Sequence, residues 1–541
     1  MVIKKLSLSF FTKHLGIKSF ELAKDSYREI VKDGYFESDI SDKSLASILF
    51  TNVINDDFFE KKANLIDFIT SLPLITQEKI KSDLRIKDIN KIKWNQEVSD
   101  YFINELSLDR KFSFRTENIG FKRTDGFKSF NKPKTSFKKL KRYQSNVFFD
   151  VYEYISKTPY ARCIIQMPTG SGKTRTAMEI VCDVINDTGK DVLWLANTEE
   201  LCDQAFYSFI ETWSFLRKRE GSAVNHLRCK SLSEHNNIEP CFHVATIQSF
   251  NSGKIAQKLN KFKVNDLELI VVDEAHISIA PTYKDSISKI LKDGTKIIGL
   301  TATPGRQLNS NDKLRSENKK LSEFYFNKKF EIDTGDILPI EFLRNEGILS
   351  NAKFISIEGS EIEKTLNDSE IKKCIKNNKI PQKIVDLLTN DNKRTAVIFD
   401  QLIQLLSRDK KVLFFGTSIE HSKLISSLVN IKGYKSAHID GNSGKYRKDI
   451  IEDFKNGRVN LLCNFGVLST GFDDPKIDAV FMARPTNSIV LYSQIIGRGL
   501  RGPKIGGTDL SEIYTVQDNI ADLPDNNEIY TYFDEYFNNN I

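Results

Sequence analysis

No pair of cysteines in this sequence is spaced to hold a metal. The seven cysteines, Cys163, Cys182, Cys202, Cys229, Cys241, Cys374 and Cys463, are scattered, odd in number and never in a CxxC or Cys/His arrangement. That spacing excludes zinc modules and iron-sulfur clusters, and the residues read as reduced core thiols. Long apolar runs are missing too: none approaches the roughly 20 residues that span a bilayer. The first residues, MVIKKLSLSFFTKHLGIKSF, carry no long apolar stretch followed by a small-residue cleavage site, so we expect no membrane association and a cytoplasmic location. Charge of one sign is also scarce. A net +7 over 541 residues is modest, and affinity for any polyanion must come from local clusters of Lys and Arg.

What is present is the composition of a globular protein, 40% hydrophobic and 28% charged, at a length that predicts three or four folding units. Residues 1–108 show helical spacing, for example Leu65, Phe68, Ile69 and Leu72, and predict a small helical domain. Residues 109–139 form a basic, aromatic linker. From Arg110 to Arg142 twelve Lys and Arg face only Glu117 and Asp125, interleaved with Phe112, Phe114, Phe121, Phe127, Phe130 and Phe137. Two readings stand: a solvated linker whose aromatics pack on a neighbouring lobe, or a segment that neutralises phosphates and stacks on bases. From Cys163 onward short β-rich runs (CIIQM, VLWLA, FHVATI, LIVVDEA, KIIGLTA) alternate with helical stretches. This predicts a parallel sheet wrapped by helices over 140–335. A second series (KFISI, KVLFFG, SAHID, NLLCNF, AVFMARP, EIYTV) predicts another such lobe over 336–541, with a helical insert at 361–409 and an acidic, aromatic tail.

Met167-Pro-Thr-Gly-Ser-Gly-Lys-Thr174 follows one strand and precedes a helix, the context of a phosphate-binding loop. Thr169, Gly170, Ser171 and Gly172 would wrap backbone N–H groups around phosphates, Lys173 would reach the β/γ-phosphates, and the Thr174 hydroxyl could ligate Mg²⁺. The loop departs from GxxxxGK[ST] at Met167, and a purely structural glycine turn is the alternative. About a hundred residues on, Leu269-Ile-Val-Val-Asp-Glu-Ala-His276 ends a buried strand with two carboxylates at its C-terminal edge. Asp273 is placed to hold Mg²⁺ through water and Glu274 to orient and deprotonate the attacking water. Near the far end, Gln494-Ile-Ile-Gly-Arg-Gly-Leu-Arg501 offers two further cations; a cation brought to the γ-phosphate from elsewhere is worth about 10³ to 10⁵ in rate. Arg501 is the candidate for that role and Arg498 the second cation.

Asp-Glu-Ala-His, with the phosphate loop before it, Leu300-Thr-Ala-Thr-Pro304 after it and QxxGRxxR near the end, resembles the DEAD/DEAH group of superfamily 2 helicases. The resemblance spans about Leu140 to Asp518 and implies two tandem RecA-like parallel-sheet lobes that close on ATP and Mg²⁺. It also implies coupling roles for His276, Thr301, Thr303 and Gln494. By the same resemblance Gln144, in Arg142-Tyr143-Gln144, reads the adenine edge, and in Ser469-Thr-Gly-Phe-Asp-Asp474 Gly471 permits close backbone approach while Asp473 contacts the ribose. Nucleic acid would cross both lobes at Asn197, Thr198, Thr246, Gln248, Ser249, Thr417 and Thr470. A hydroxyl at a strand end also reads as a helix cap. Gly471-Phe-Asp-Asp-Pro475 and QIIGRGLR look closest in style to RadD-like repair helicases and type I restriction motor subunits, though no cysteine cluster follows to support the RadD-like zinc module.

These readings make the chain an ATP-dependent helicase or translocase, on DNA ahead of RNA, in repair or phage defence. Two alternatives stand beside it: an RNA helicase, and an ATP-gated binding subunit of a multi-protein defence complex, with the N-terminal domain docking a protein partner. Asp56 and Asp57 before Glu60-Lys61-Lys62 match a nuclease pattern only formally and read as a solvated helix face.

Overall fold

In the computed structural model of the chain, the apolar spacing of the first hundred residues produces helices at Leu8–Leu15, Ile17–Lys32, Asp42–Val53, Lys62–Thr70, Leu74–Asp83 and Gln96–Asn104. The structure describes residues 2–36, 39–114, 137–217, 225–227, 240–247, 267–275, 278, 287, 291, 294–302, 319–363, 365–377, 380–469, 471–486 and 489–521. Ser7, Ser41 and Asn95 start three of the helices, each side chain accepting an otherwise orphaned backbone N–H. The core beneath them is aromatic. The Phe59 ring stands 4.8 Å from Trp94, 4.9 Å from Phe68 and 5.1 Å from Phe112, in edge-on and stacked geometries that suit ring quadrupoles.

Phe112 corrects part of the linker reading. It is fully buried in this bundle, and the Phe114 N–H donates to Ser99 Oγ at 2.7 Å, so residues 109–114 close the helical domain. At the other end Phe137 lies 5.1 Å from Phe215 and beneath the Arg175 guanidinium, on the first lobe. The aromatics between them, Phe121, Phe127 and Phe130, lie outside the described residues.

Among the described residues the first lobe is a parallel sheet of seven strands: β1 (Arg162–Gln166), β2 (Asp191–Ala196), β3 (Asn225–Leu227), β4 (Cys241–Thr246), β5 (Leu267–Asp273), β6 (Lys296–Thr301) and β7 (Lys329–Glu331), in the order β3-β4-β2-β5-β6-β1-β7. β5 is buried at every position, as a central strand covered on both faces must be, and its unbroken apolar sequence is the cause. β6 lies between β1 and β5, with Gln166 opposite Thr301 and Asp273 opposite Leu300. The phosphate loop, the carboxylate pair and Thr301 therefore leave one edge of the sheet on three adjacent strands.

Among the described residues the second lobe has six parallel strands: β8 (Asn351–Ile362), β9 (Val412–Phe415), β10 (Ser436–Ile439), β11 (Leu461–Asn464), β12 (Ala479–Met482) and β13 (Leu510–Ile520), ordered β10-β11-β9-β12-β13-β8. The expected insert at 361–409 is only partly an insert. It begins inside β8, and its last helix, Asn392–Ser407, is structural to the lobe: Ile398, Phe399, Leu402 and Leu405 are fully buried. Arg394 on that helix pairs with Asp518 of β13 at 2.7 Å and donates to the Ala483 carbonyl at 2.7 Å. The acidic tail, 522–541, lies outside the described residues.

The N-terminal bundle sits on this second lobe. Phe36 stacks on Phe399 at 5.7 Å, and Ser26 donates to Asn392 at 2.7 Å. Lys423 donates to the Val53 carbonyl at 3.0 Å, and Asp56 accepts the Tyr446 N–H at 2.9 Å. Apolar side chains of the bundle and of β9, β11 and β12 form one continuous core. Among the described residues no helix is long and apolar enough to cross a membrane, and no group of three or more His, Cys, Asp and Glu side chains is placed to hold a metal ion.

Candidate nucleotide site between the two lobes

The phosphate loop is shaped by its glycines. Gly170 and Gly172 have φ of +89° and +88°, a region L-residues adopt at a cost, and Gly172 starts the helix Lys173–Thr188. Met167, the departure from the usual first glycine, is fully buried, and its N–H donates to the Thr301 carbonyl at 3.1 Å. Its buried side chain adds an apolar anchor to the core that a glycine would lack. Tyr143 Oη and Gln144 Nε2 both donate to the Ser171 carbonyl, at 2.8 and 2.9 Å, and Gln144 Oε1 accepts the Lys141 N–H. Gln144, expected at an adenine edge, thus holds the loop from the side; Tyr143, its helper, was not singled out by the sequence. A side chain at Gly172 would overlap Gln144.

Asp273 and Glu274 follow at the end of β5. Burial pushes the Asp273 carboxyl up from its ordinary range; the ammonium of Lys173 opposes this and the charge of Glu274 adds to it. Glu274 sits at φ +61°, a left-handed conformation that costs a non-glycine residue on the order of 1 kcal/mol and collects at functional sites. Thr301 is buried at the end of the neighbouring strand. His276 and Thr303 lie outside the described residues.

The second lobe closes on this edge. Gln494 Nε2, on the helix Ile489–Ile496, donates to Glu274 Oε1 at 2.9 Å. A Cβ on Gly497 would stand 2.5 Å from Thr169 Cγ2, so only glycine lets the two lobes approach here. Arg498 donates to the carbonyls of Phe472 (2.7 Å) and Ser469 (3.1 Å). Burial, then the neighbouring Arg501, pull its guanidinium down to about 10, against the pull of Asp473, Glu274 and Asp273. Arg501 donates to Asp473 at 2.8 Å and to the Gly497 carbonyl at 2.9 Å, and its Nη1 rests against Gly170 where a side chain would collide with it. Asp473, expected on a ribose, holds Arg501 in this state. Gly471 has φ +71°, consistent with its glycine. Lys173 and Thr174 occupy the first turn of the loop helix.

The proposed nucleic-acid contacts fare less evenly. Thr198 Oγ1 accepts the Leu201 N–H and caps the helix Glu199–Leu216. Thr417 is buried; its hydroxyl accepts from Arg394 at 2.9 Å and donates to the Ala483 carbonyl at 3.0 Å, and its N–H donates to His421. It is a strut of the second lobe, a correction to its reading as a backbone contact. Asn197 and Thr246 stand at or beyond the ends of β2 and β4 on the same edge as the phosphate loop. Gln248, Ser249 and Thr470 lie outside the described residues.

Residues 137–306 match the family model "Type III restriction enzyme, res subunit", and residues 396–502 match "Helicase conserved C-terminal domain". A 51.5 kDa protein of a Lactococcus phage is 27% identical over 62% of this chain. A type I restriction enzyme EcoAI endonuclease subunit of Escherichia coli is 25% identical over 63% of it. The ATP-dependent RNA helicase DBP3 of Lodderomyces elongisporus is 25% identical over 62%. The chain spans 62%, 41% and 56% of these relatives' own lengths, less than two thirds of each. Two tandem parallel-sheet lobes, each matched by its own family model and meeting at a phosphate loop, place the chain among the superfamily 2 helicases.

Proposed function

We propose that the chain is an ATP-driven, nucleic-acid-dependent motor that hydrolyses ATP between its two lobes and moves along DNA. The observation that carries this is the bond across the cleft, Gln494 Nε2 to Glu274 Oε1 at 2.9 Å, made where Arg501 meets Gly170. A carboxylate that must orient water is held by one lobe and fixed by the other, so chemistry waits on closure. In this reading the loop N–H groups and Lys173 hold the β/γ-phosphates, Gln144 flanks the base, and Glu274 takes the proton of the attacking water. Arg501 and Arg498 offset the charge that develops on the transferring phosphoryl group, and Asp473 passes from Arg501 to the ribose. The buried, cation-seeking Asp273 and the hydroxyl of Thr174 fit a magnesium ion, which would neutralise phosphate charge when bound. Thr301, bonded to the loop through the Met167 N–H, and Thr303 relay closure toward the strand.

The track runs past Asn197 and Thr246, with Gln248, Ser249 and Thr470 completing it. Resemblance to a restriction enzyme subunit supports DNA as the substrate and defence, ahead of repair, as the setting. Resemblance to an RNA helicase keeps RNA as the competing substrate. Steady-state ATPase of the wild type and Lys173→Ala, with no nucleic acid, single-stranded DNA, duplex DNA and RNA in parallel, decides. We expect strong DNA stimulation that disappears in the variant. Stimulation by RNA alone would reassign the substrate, and stimulation by none would favour an ATP-gated binding subunit.

A further inference from the structure

The segment that joins the lobes does more than connect them. After β7 the chain passes through the short helix Pro339–Asn345 and then runs as 346–350 into β8. Along that run it bonds to the backbone that immediately follows Arg501. The Gly502 N–H donates to the Ile348 carbonyl at 2.9 Å and the Lys504 N–H to the Gly347 carbonyl at 3.0 Å. The Gly507 and Thr508 N–H groups fold back on Gly502 and Arg501, each at 3.0 Å. The fit leaves no room for side chains: a Cβ on Gly502 would overlap the Gly347 carbonyl oxygen, and one on Gly507 would overlap the carbonyl of Arg501. The same linker reaches the phosphate loop. Leu349, 3% exposed, places Cδ2 3.0 Å from where a Cβ on Gly170 would stand, beside the Arg501 guanidinium. Its own N–H and that of Ile348 are pinned to the Leu343 carbonyl, at 3.1 and 2.8 Å.

We propose that the linker 346–350 is a positioning element for Arg501, a backbone clasp that fixes the guanidinium at the phosphate loop and is set by the register between linker and loop 502–508. Arg501 has a long, flexible side chain, and holding it costs rotamer entropy. Asp473 and the Gly497 carbonyl fix the guanidinium, while the clasp fixes the base of the side chain to the segment that joins the two lobes. Closing the lobes and delivering the cation then become one event. The inference rests on Arg501 acting at the transferring phosphate.

The test is a double-mutant cycle on the full chain. Gly502→Ala and Leu349→Ala are made in the wild type and in Arg501→Ala, with the nucleic-acid-stimulated kcat, single-turnover hydrolysis and equilibrium binding of a fluorescent ATP analogue measured for each. A residue acting only through Arg501 should lower kcat about tenfold or more in the wild type, leave ATP affinity within about threefold, and lower hydrolysis no further in Arg501→Ala. The same factor lost in both backgrounds, or affinity falling in step with kcat, overturns the clasp. If Gly502→Ala does not fold, shown by its melting curve, Leu349→Ala decides by the same criteria. Unchanged hydrolysis in Arg501→Ala alone would overturn the reading of the site and the clasp with it; loss there together with additive loss in Gly502→Ala overturns the clasp only.

Discussion

The second lobe has two neighbours and meets them through different chemistry. Against the first lobe it presents Gln494, Gly497, Arg498 and Arg501, which face Glu274, Thr169 and Gly170. Against the N-terminal bundle it presents Phe399, Leu428 and Val429, buried with Ile30, Leu49 and Phe50 in one apolar core. Around the nucleotide the contacts are polar, with one residue in left-handed conformation and glycines at the points of approach, while Leu343, Leu349 and Leu500 carry a buried apolar core from one lobe to the other. Against the bundle buried aromatic and aliphatic area, at roughly 25 cal/mol per Å², dominates and resists separation. The bundle should therefore travel with the second lobe as a single body, with motion concentrated at the nucleotide cleft.

That contrast can be broken at the apolar interface first. Phe399→Ala removes a fully buried ring that stacks on Phe36, and should destabilise the bundle and second lobe together by about 3 to 5 kcal/mol. Denaturant unfolding read by tryptophan fluorescence would report it: Trp94 lies in the bundle and the other two tryptophans, Trp194 and Trp213, in the first lobe. Loss confined to Trp94 is the expected pattern; equal loss in all three would mean that the cleft is as firmly joined as the dock.

A smaller effect probes the charges that border the dock. Asp440 follows β10 and is buried. Burial raises its carboxyl, but bonds from His438 and the Asn442 N–H outweigh this and hold it down at about 2. A carboxyl held below its unfolded value lends stability that is present above about pH 5 and is lost as the pH falls through the folded value. Asp440→Asn should cost about 2 kcal/mol at neutral pH, and the gap to the wild type should close as the pH falls from about 4 toward 2. ATPase at neutral pH should be unchanged. A gap that stays constant with pH would assign the loss to packing, and a fall in ATPase would show that the dock and the cleft are coupled.

The two regions also differ in how far the sequence exposed them. The phosphate loop, the carboxylate pair and QxxGRxxR were readable because each does its chemistry with neighbouring residues, where turn glycines and strand edges leave a local pattern. Their convergence followed from parallel-strand order, since β6 lies between β1 and β5. The dock left no such pattern. Phe36 and Phe399 meet only in the fold, and a helix whose apolar stripe faces a second domain reads like one facing its own sheet. For the same reason Asn392–Ser407 reads in the sequence as part of an insert and Phe112 as part of a linker. Thr417 fails differently: a hydroxyl after a strand fits a phosphate contact or a strut equally well, and Arg394 with the Ala483 carbonyl decides it. Leu349 and Gly502 had no signal of their own, because their role is set by the carbonyls of residues far away in the chain.

The most direct measurement on the cleft is ATP binding and hydrolysis by Arg501→Ala in the presence of DNA. If the second lobe supplies the cation that completes the site, affinity should stay within about threefold while stimulated hydrolysis falls by about 10³. Hydrolysis at the wild-type rate, with DNA stimulation intact, would mean that the first lobe works alone and that closure is not part of the chemistry.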